Sequence, residues 1–197
     1  MSNEQKKYKL IYADCPWQFN SKKTGGSMKS GASQKYLTTG TEDLKKLDVN
    51  SIADEECLLA MWWVGAMPQE AIDLIKAWGF RLVNMNALVW NKLTVNNKPY
   101  FGMGFYTRAG SESVAFAVKG KFKPESRSVR AVFNAESQIQ FEAKVMAHSK
   151  KPVQVRDLLV ELCGDVPRLE MFARESADGW DCFGNEVDGS IVIPLKS

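Results

Sequence analysis

At the end of an apolar run, Leu10-Ile11-Tyr12-Ala13, the chain places Asp14, Cys15, Pro16 and Trp17 in succession. A carboxylate, a main-chain carbonyl followed by proline, and a flat aromatic ring suit one task, activating the exocyclic amine of a nucleobase. That nitrogen is a poor nucleophile because its lone pair is delocalised into the ring. Two acceptors aimed at its N–H bonds, the Asp14 carboxylate and the Cys15 carbonyl, favour a pyramidal nitrogen and stabilise positive charge as it attacks a methyl group. Pro16, with its fixed φ, holds the carbonyl's direction. Trp17 would stack on the base, which has to leave its duplex stack to be reached. The plain structural reading of the same four residues is a strand end followed by an X-Pro turn.

The elements that must position this group can be read around it. Leu10 to Ala13 lacks a helical period and suits a buried strand, and in open α/β sheets ligands bind beyond the carboxyl ends of strands. From Gln18 to Thr39, including "TGGSMKSGAS", there is no apolar periodicity, and the segment reads as a long mobile loop, of a length more often functional than accidental. Thr41, Glu42 and Asp43 can cap a short helix. The run Cys57 to Val64 is continuous and apolar, like a strand buried on both faces. Pro68 opens a helix with Ala71, Leu74, Ile75 and Trp78 at helical spacing, and Gly79 closes it. Phe80–Trp90 and Ser113–Val118 read as strands, with "TVNNKPYFGMGFYTRAGSE" as a second long loop. Past a polar region rich in Arg and Ser, Pro152 begins a helix carrying Val155, Leu158, Leu159 and Leu162, and "PRLEMFA" returns as a buried strand. Strands alternating with helices predict an α/β domain, a mainly parallel sheet covered on both faces.

With 197 residues, 45% hydrophobic and 25% charged, the chain has the composition of a single globular domain over 1–197 with a full core. A net charge of +3 permits a polyanionic partner without demanding one. Cys15, Cys57, Cys163 and Cys182 form no C-x-x-C pair and there is one histidine, so free thiols in a reducing compartment and no metal site are expected. An N-terminus without an apolar signal core, and no apolar run near the roughly 18 residues a membrane span needs, predict a soluble intracellular protein.

"DCPW" resembles the D-P-P-W signature of the adenine N6-methyltransferases related to the catalytic subunit of the eukaryotic messenger-RNA adenosine methyltransferase. Further segments are similar in family order. They are "YLT" with Glu42 and Asp43, "LLAMWWV", "ALVWNK", "GFYTRAGSESVAFAVKGK", "HSKKP", "LEMFAR" and "GWDCFGNE". The resemblance runs from Tyr8 to Gly189. It implies a Rossmann-like fold in circularly permuted order that uses S-adenosylmethionine, with the catalytic motif early and the cofactor strand late. It also implies transfer of a methyl group to the N6 amine of adenine. DNA is expected over RNA, because small bacterial and phage members modify DNA and no RNA module is recognisable; a family member that only binds nucleic acid is the third reading. Cytoplasmic location, in a bacterial or phage-infected cell, follows from the same resemblance, and the oligomeric state stays open between monomer and homodimer.

Carried onto matching positions, Asp14 serves the target amine and the methionine end of the cofactor, and Lys151 holds the cofactor carboxylate. Glu170, Phe172 and Arg174 line its ribose and adenine side, and Asn185 and Glu186 complete the cofactor set. Cys15 departs from the family's proline, which is tolerable because only its carbonyl is needed. Trp62 and Trp63 read as core ahead of base platforms. Lys92, Arg108, Glu112, Lys119, Arg127 and Arg130 are expected beside the loops that rim the target pocket, where phosphate contact and solvated surface are both open for the basic ones. Tyr36 is expected to close over the base or pack its loop, and His148 to touch a phosphate or serve structure. Lys29, Lys35, Lys98 and Arg108 are the expected phosphate contacts.

Overall fold

The computed structural model describes residues 6–17, 40–102, 104, 106–137, 150–189 and 191–196. Among them seven strands form one sheet: β1 (Tyr8–Ala13), β2 (Ala53–Trp63), β3 (Arg81–Leu93), β4 (Ser111–Lys119), β5 (Val132–Glu136), β6 (Arg168–Met171) and β7 (Asp181–Phe183). Their order is β5-β3-β4-β2-β1-β6-β7. The pairs β1–β2, β1–β6, β3–β5 and β6–β7 are parallel, and β4 runs antiparallel to both neighbours. This is the mostly parallel, Rossmann-like arrangement expected.

The central strands are apolar without interruption because both of their faces are covered. Ile11 and Ala13 of β1, with Cys57, Leu59 and Met61 of β2, join one apolar cluster. Leu10 and Tyr12, with Leu58, Ala60 and Trp62, join the other. Onto the first face pack α1 (Thr41–Lys45), α2 (Val49–Ile52) and α3 (Pro68–Ala77), through Leu44, Val49, Ile52, Ala71, Leu74 and Ile75. Helix α3 starts at Pro68 as expected, and Gly79 follows it at φ +85°, a left-handed conformation that costs glycine little. The buried Trp78 indole donates to the Leu44 carbonyl at 2.9 Å, tying α3 to α1. The second face carries α4 (Gln154–Cys163) through Val155, Leu159 and Cys163.

Several expectations need correction. Helix α1 is capped by Gly40, and α4 begins two residues after Pro152. Strands β3, β4 and β5 follow one another without helices, because the expected second loop is a backbone-paired finger that turns the chain straight back into β4. Strand β5 lies inside the region read as polar, since an edge strand with only Ala135 buried needs no apolar run. The three-residue edge strand β7 escaped notice for the same reason. All four cysteines are buried free thiols. No helix of the described residues is long and apolar enough to cross a membrane.

Candidate active site

Ala13, the last residue of β1, pairs with Met61 on one side and Met171 on the other. The Asp14 N–H then donates to the Met171 carbonyl at 3.4 Å, so its carboxylate emerges at the carboxyl edge between two neighbouring strands. Chain connections diverge at this point, towards β2 with α1–α3 on one face and towards β6 with α4 on the other. Such a switch point is where doubly wound sheets open a crevice. A cleft of about 580 Å³ lies there, lined by Asp14 and Trp17, by Trp62 to Gly65 at the end of β2, by Asn86 and Lys92 of β3, and by Ser111 to Ser113. Because β4 is antiparallel, its start lies at the same edge as the ends of the others. Lys151, just ahead of α4, Tyr100, Gly102 and Ala109 complete the wall.

Inside the cleft four charges alternate. Lys151 Nζ lies 3.1 Å from Asp14 Oδ1 and 3.2 Å from Glu112 Oε2, and Lys92 donates to Glu112 Oε1. Two ammoniums and two carboxylates leave the row neutral. The Lys92 ammonium also sits 4.8 Å from the Trp90 ring centroid and Lys151 5.3 Å from that of Trp62, so aromatic faces support both cations. Burial pushes the Asp14 carboxyl above the usual range, with Lys151 pulling it back and Glu112 adding repulsion. Burial would raise Glu112 too, but Lys151 and Lys92 outweigh it and hold that carboxyl low. Lys151 is raised, because Asp14 and Glu112 overcome the burial of its charge. Of the two carboxylates in the cleft, Asp14 is thus the more readily protonated.

The turn after Asp14 bears on the expected acceptor pair. The Trp17 N–H donates to the Cys15 carbonyl at 2.8 Å, closing a three-residue turn about Pro16. The Cys15 carbonyl thus has one lone pair engaged and one left. Trp17 is not a free-standing platform. It is 7% exposed, and its indole N–H donates to the Trp62 carbonyl at 3.1 Å, because a buried indole needs an acceptor. It forms a fixed wall of the cleft. Trp62 is buried as expected, its Nε1 donating to Tyr12 Oη at 2.7 Å, and its edge reaches the cleft. Trp63 does both, anchoring to the Met85 carbonyl while lining the cleft.

On the far side of Asp14 the expected cofactor residues follow the ends of β6 and β7. Glu170, within β6, pairs with Tyr12 and Cys182 across the sheet, and Phe172, just past the strand, is at φ +62°, a left-handed conformation unusual for a bulky residue. The strain is held by the Ala173 N–H donating to the Phe183 carbonyl at 3.0 Å and by the Phe172 ring meeting Phe183 edge-on. Arg174 Nε lies 4.0 Å from Glu186 Oε1, and Asn185 and Glu186 are exposed just past β7.

Sequence reading missed Arg156 altogether. Its guanidinium grips Glu170 with two bonds, Nε to Oε2 at 2.7 Å and Nη2 to Oε1 at 3.1 Å, and approaches Glu175 at 3.5 Å. No local pattern marks it, since α4 and β6 bring the pair together only by packing. Burial raises the Glu170 carboxyl and Arg156 works against that. Arg156→Met should therefore cost about 2–3 kcal/mol, slightly under the range for stripping a buried charge of its partner. Glu170 would then rise further, so the deficit should be smaller at pH 5 than at pH 8. Urea unfolding at the two pH values measures it; equal deficits at both would contradict the charge argument.

The expected nucleic-acid residues divide. Lys98 and Arg108 are exposed on the finger between β3 and β4, with Arg108 4.6 Å from the Phe101 ring centroid. Lys92 and Glu112, expected at the rim, line the cleft itself. Lys119, Arg127 and Arg130 are corrected to the opposite edge. Lys119 donates to the Asn50 and Ala53 carbonyls at the start of β2, and the 120–131 segment bonds through Glu125 to Leu162 near the end of α4. Tyr36, Lys29, Lys35 and His148 lie outside the described residues.

The MT-A70 family model matches residues 8–186. The Type II methyltransferase M.MunI of Mycoplasma sp is 34% identical over 212 aligned positions, which cover 98% of this chain and 83% of that protein. The human N(6)-adenine-specific methyltransferase METTL4 is 22% identical over 197 positions, covering 94% of this chain but 38% of its own length.

Proposed function

This chain belongs to the MT-A70 family and is a methyltransferase of that family, and from that premise we propose that it methylates the exocyclic N6 amine of adenine at specific sites in DNA. The observation that carries the reading is the Asp14 carboxylate at the end of β1, in a cleft of about 580 Å³ and paired there with Lys151. The human relative is an N(6)-adenine-specific methyltransferase, which supports the choice of amine. Similarity to a Type II methyltransferase supports DNA over RNA. A cytoplasmic location fits that reading.

The family's cofactor is S-adenosylmethionine, which when bound supplies a methyl group on a cationic sulfur. The donor set suits it. An amino-acid end needs a cation and an anion side by side, and Lys151 and Asp14 are 3.1 Å apart. A ribose diol needs acceptors, and each Glu170 oxygen keeps a lone pair beyond its bond to Arg156. Lys151, Asp14, Glu170, Phe172, Arg174, Asn185 and Glu186 would hold the cofactor.

The remaining steps belong to the chain's own residues. Trp17 and Trp63 wall the cleft and exclude water from the amine. Asp14 and the Cys15 carbonyl accept its two N–H bonds, drawing the lone pair out of the ring and stabilising the charge that builds on nitrogen. With its raised pKa, Asp14 is matched to take the proton that the nitrogen sheds. Lys151 keeps Asp14 ionised until then.

Purified protein incubated with labelled S-adenosylmethionine and matched DNA and RNA oligonucleotides, followed by digestion, tests the proposal. Label is expected in N6-methyldeoxyadenosine. Label only in RNA, or in another nucleoside, would refute the substrate assignment.

A further inference from the structure

Between β3 and β4 the chain builds a finger beside the cleft. Its base is tied to β3 by the Tyr100 N–H bonding the Lys92 carbonyl at 3.0 Å and the Lys92 N–H bonding Gly110 at 2.9 Å. Farther out, Asn97 turns the chain at φ +59°, and Gly102 and Ala109 exchange bonds of 3.1 and 3.3 Å. A Cβ on Gly102 would stand 2.3 Å from the Ala109 carbonyl, so the two arms approach as closely as glycine permits. The finger is also coupled to the row of charges, since the Lys92 ammonium that holds Glu112 lies 5.8 Å from the Tyr100 ring centroid.

One side of this finger lines the cleft through Tyr100, Gly102 and Ala109. The same short segment holds two aromatic rings in water, Phe101 at 74% exposure and Tyr106 fully exposed. Arg108 lies over Phe101, and Lys98 is exposed on the same finger. Flat apolar rings interleaved with cations, on a finger whose other side walls the cleft, match a partner that presents flat faces and phosphates together.

We infer that Phe101 and Tyr106 are a stacking surface for the nucleotides flanking the extruded base. The inference rests on the nucleic-acid reading above and adds where the strand lies, along the finger. Unlike phosphate contacts, stacked rings bind through dispersion and desolvation. Their loss lowers affinity without changing the number of counterions released.

The test compares the wild type with Phe101→Ser, Tyr106→Ser and the double variant, by fluorescence anisotropy on a labelled DNA oligonucleotide over a range of salt, with S-adenosylmethionine binding measured by calorimetry. Each ring lost should weaken DNA binding about five- to hundredfold, with the salt slope and cofactor binding unchanged. Lys98→Ala, by contrast, should flatten the slope by about 0.9 for a duplex. DNA binding equal to wild type in the double variant overturns the inference. So does a flattened salt slope, or an affinity loss that follows a change from dimer to monomer in sedimentation. If the rings matter for binding but the wild type labels no deoxyadenosine, the inference stands and the proposed reaction falls; a wild type that binds no nucleic acid overturns both.

Discussion

Asp14→Asn should slow methyl transfer about 10²–10³-fold, the cost of removing one preorganised partner of a developing charge. It should also leave the protein as stable as the wild type or more so. The substitution keeps the shape of the side chain and removes its charge, so the nitrogen loses the acceptor that stabilises its positive charge and later takes its proton. The stability claim follows from the raised Asp14 carboxyl. A carboxyl raised by folding contributes stability below the ordinary aspartate range and loses it as pH rises through the folded value. At neutral pH the ionised form is therefore carried at a cost that Asn removes, an exchange of stability for activity at the site. In the wild type the rate should fall on the acid side at a pH above the ordinary aspartate range, and the residual rate of Asp14→Asn should lack that limb. Single-turnover rates across pH, with thermal unfolding of both proteins, check this. A variant that kept most of its rate would remove Asp14 from the chemistry.

The next largest effect is expected from Lys151→Met. The ammonium serves two carboxylates at once, Asp14 at 3.1 Å and Glu112 at 3.2 Å, from a side chain 15% exposed. Without it Glu112 keeps Lys92, whereas Asp14 faces Glu112 across the cleft with no cation between them. Stability at neutral pH should fall by about 3 kcal/mol, the lower end for a broken buried pair. Asp14 should rise further, so the deficit shrinks as pH falls and the acid limb of the rate moves to higher pH. S-adenosylmethionine affinity should drop tenfold or more, because the cation for its carboxylate is gone. Lys151→Arg, which keeps the charge but not the compact ammonium, should recover stability more than affinity. Calorimetry and unfolding of both variants at pH 5 and 8 give the comparison; unchanged cofactor affinity in Lys151→Met would assign the lysine to structure alone.

The parts legible in sequence are those where one local pattern does one thing. The two-sided apolar runs of β1 and β2, the i, i+3, i+4, i+7 row of α3 and the Asp14–Trp17 turn at a strand end each state their element directly. Edge strands do not, since β5 buries Ala135 alone and β7 has three residues. The finger between β3 and β4 was hidden for a related reason, because its pairing is made by backbone atoms that the side chains do not announce.

By itself the sequence determined the fold class, the place of the acidic turn at the carboxyl edge, and the family, because these depend on periodicity and on residues adjacent along the chain. Only the tertiary structure decided the partners. It set Lys151 between Asp14 and Glu112, put Arg156 on Glu170, turned Trp17 from a free platform into an anchored wall, and sent Lys119 to the far edge. Those outcomes depend on which strands become neighbours and on the antiparallel direction of β4. Burial then decides how each charge is held, since a carboxylate removed from water must find a cation, and that cation can come from anywhere in the chain that packing brings near.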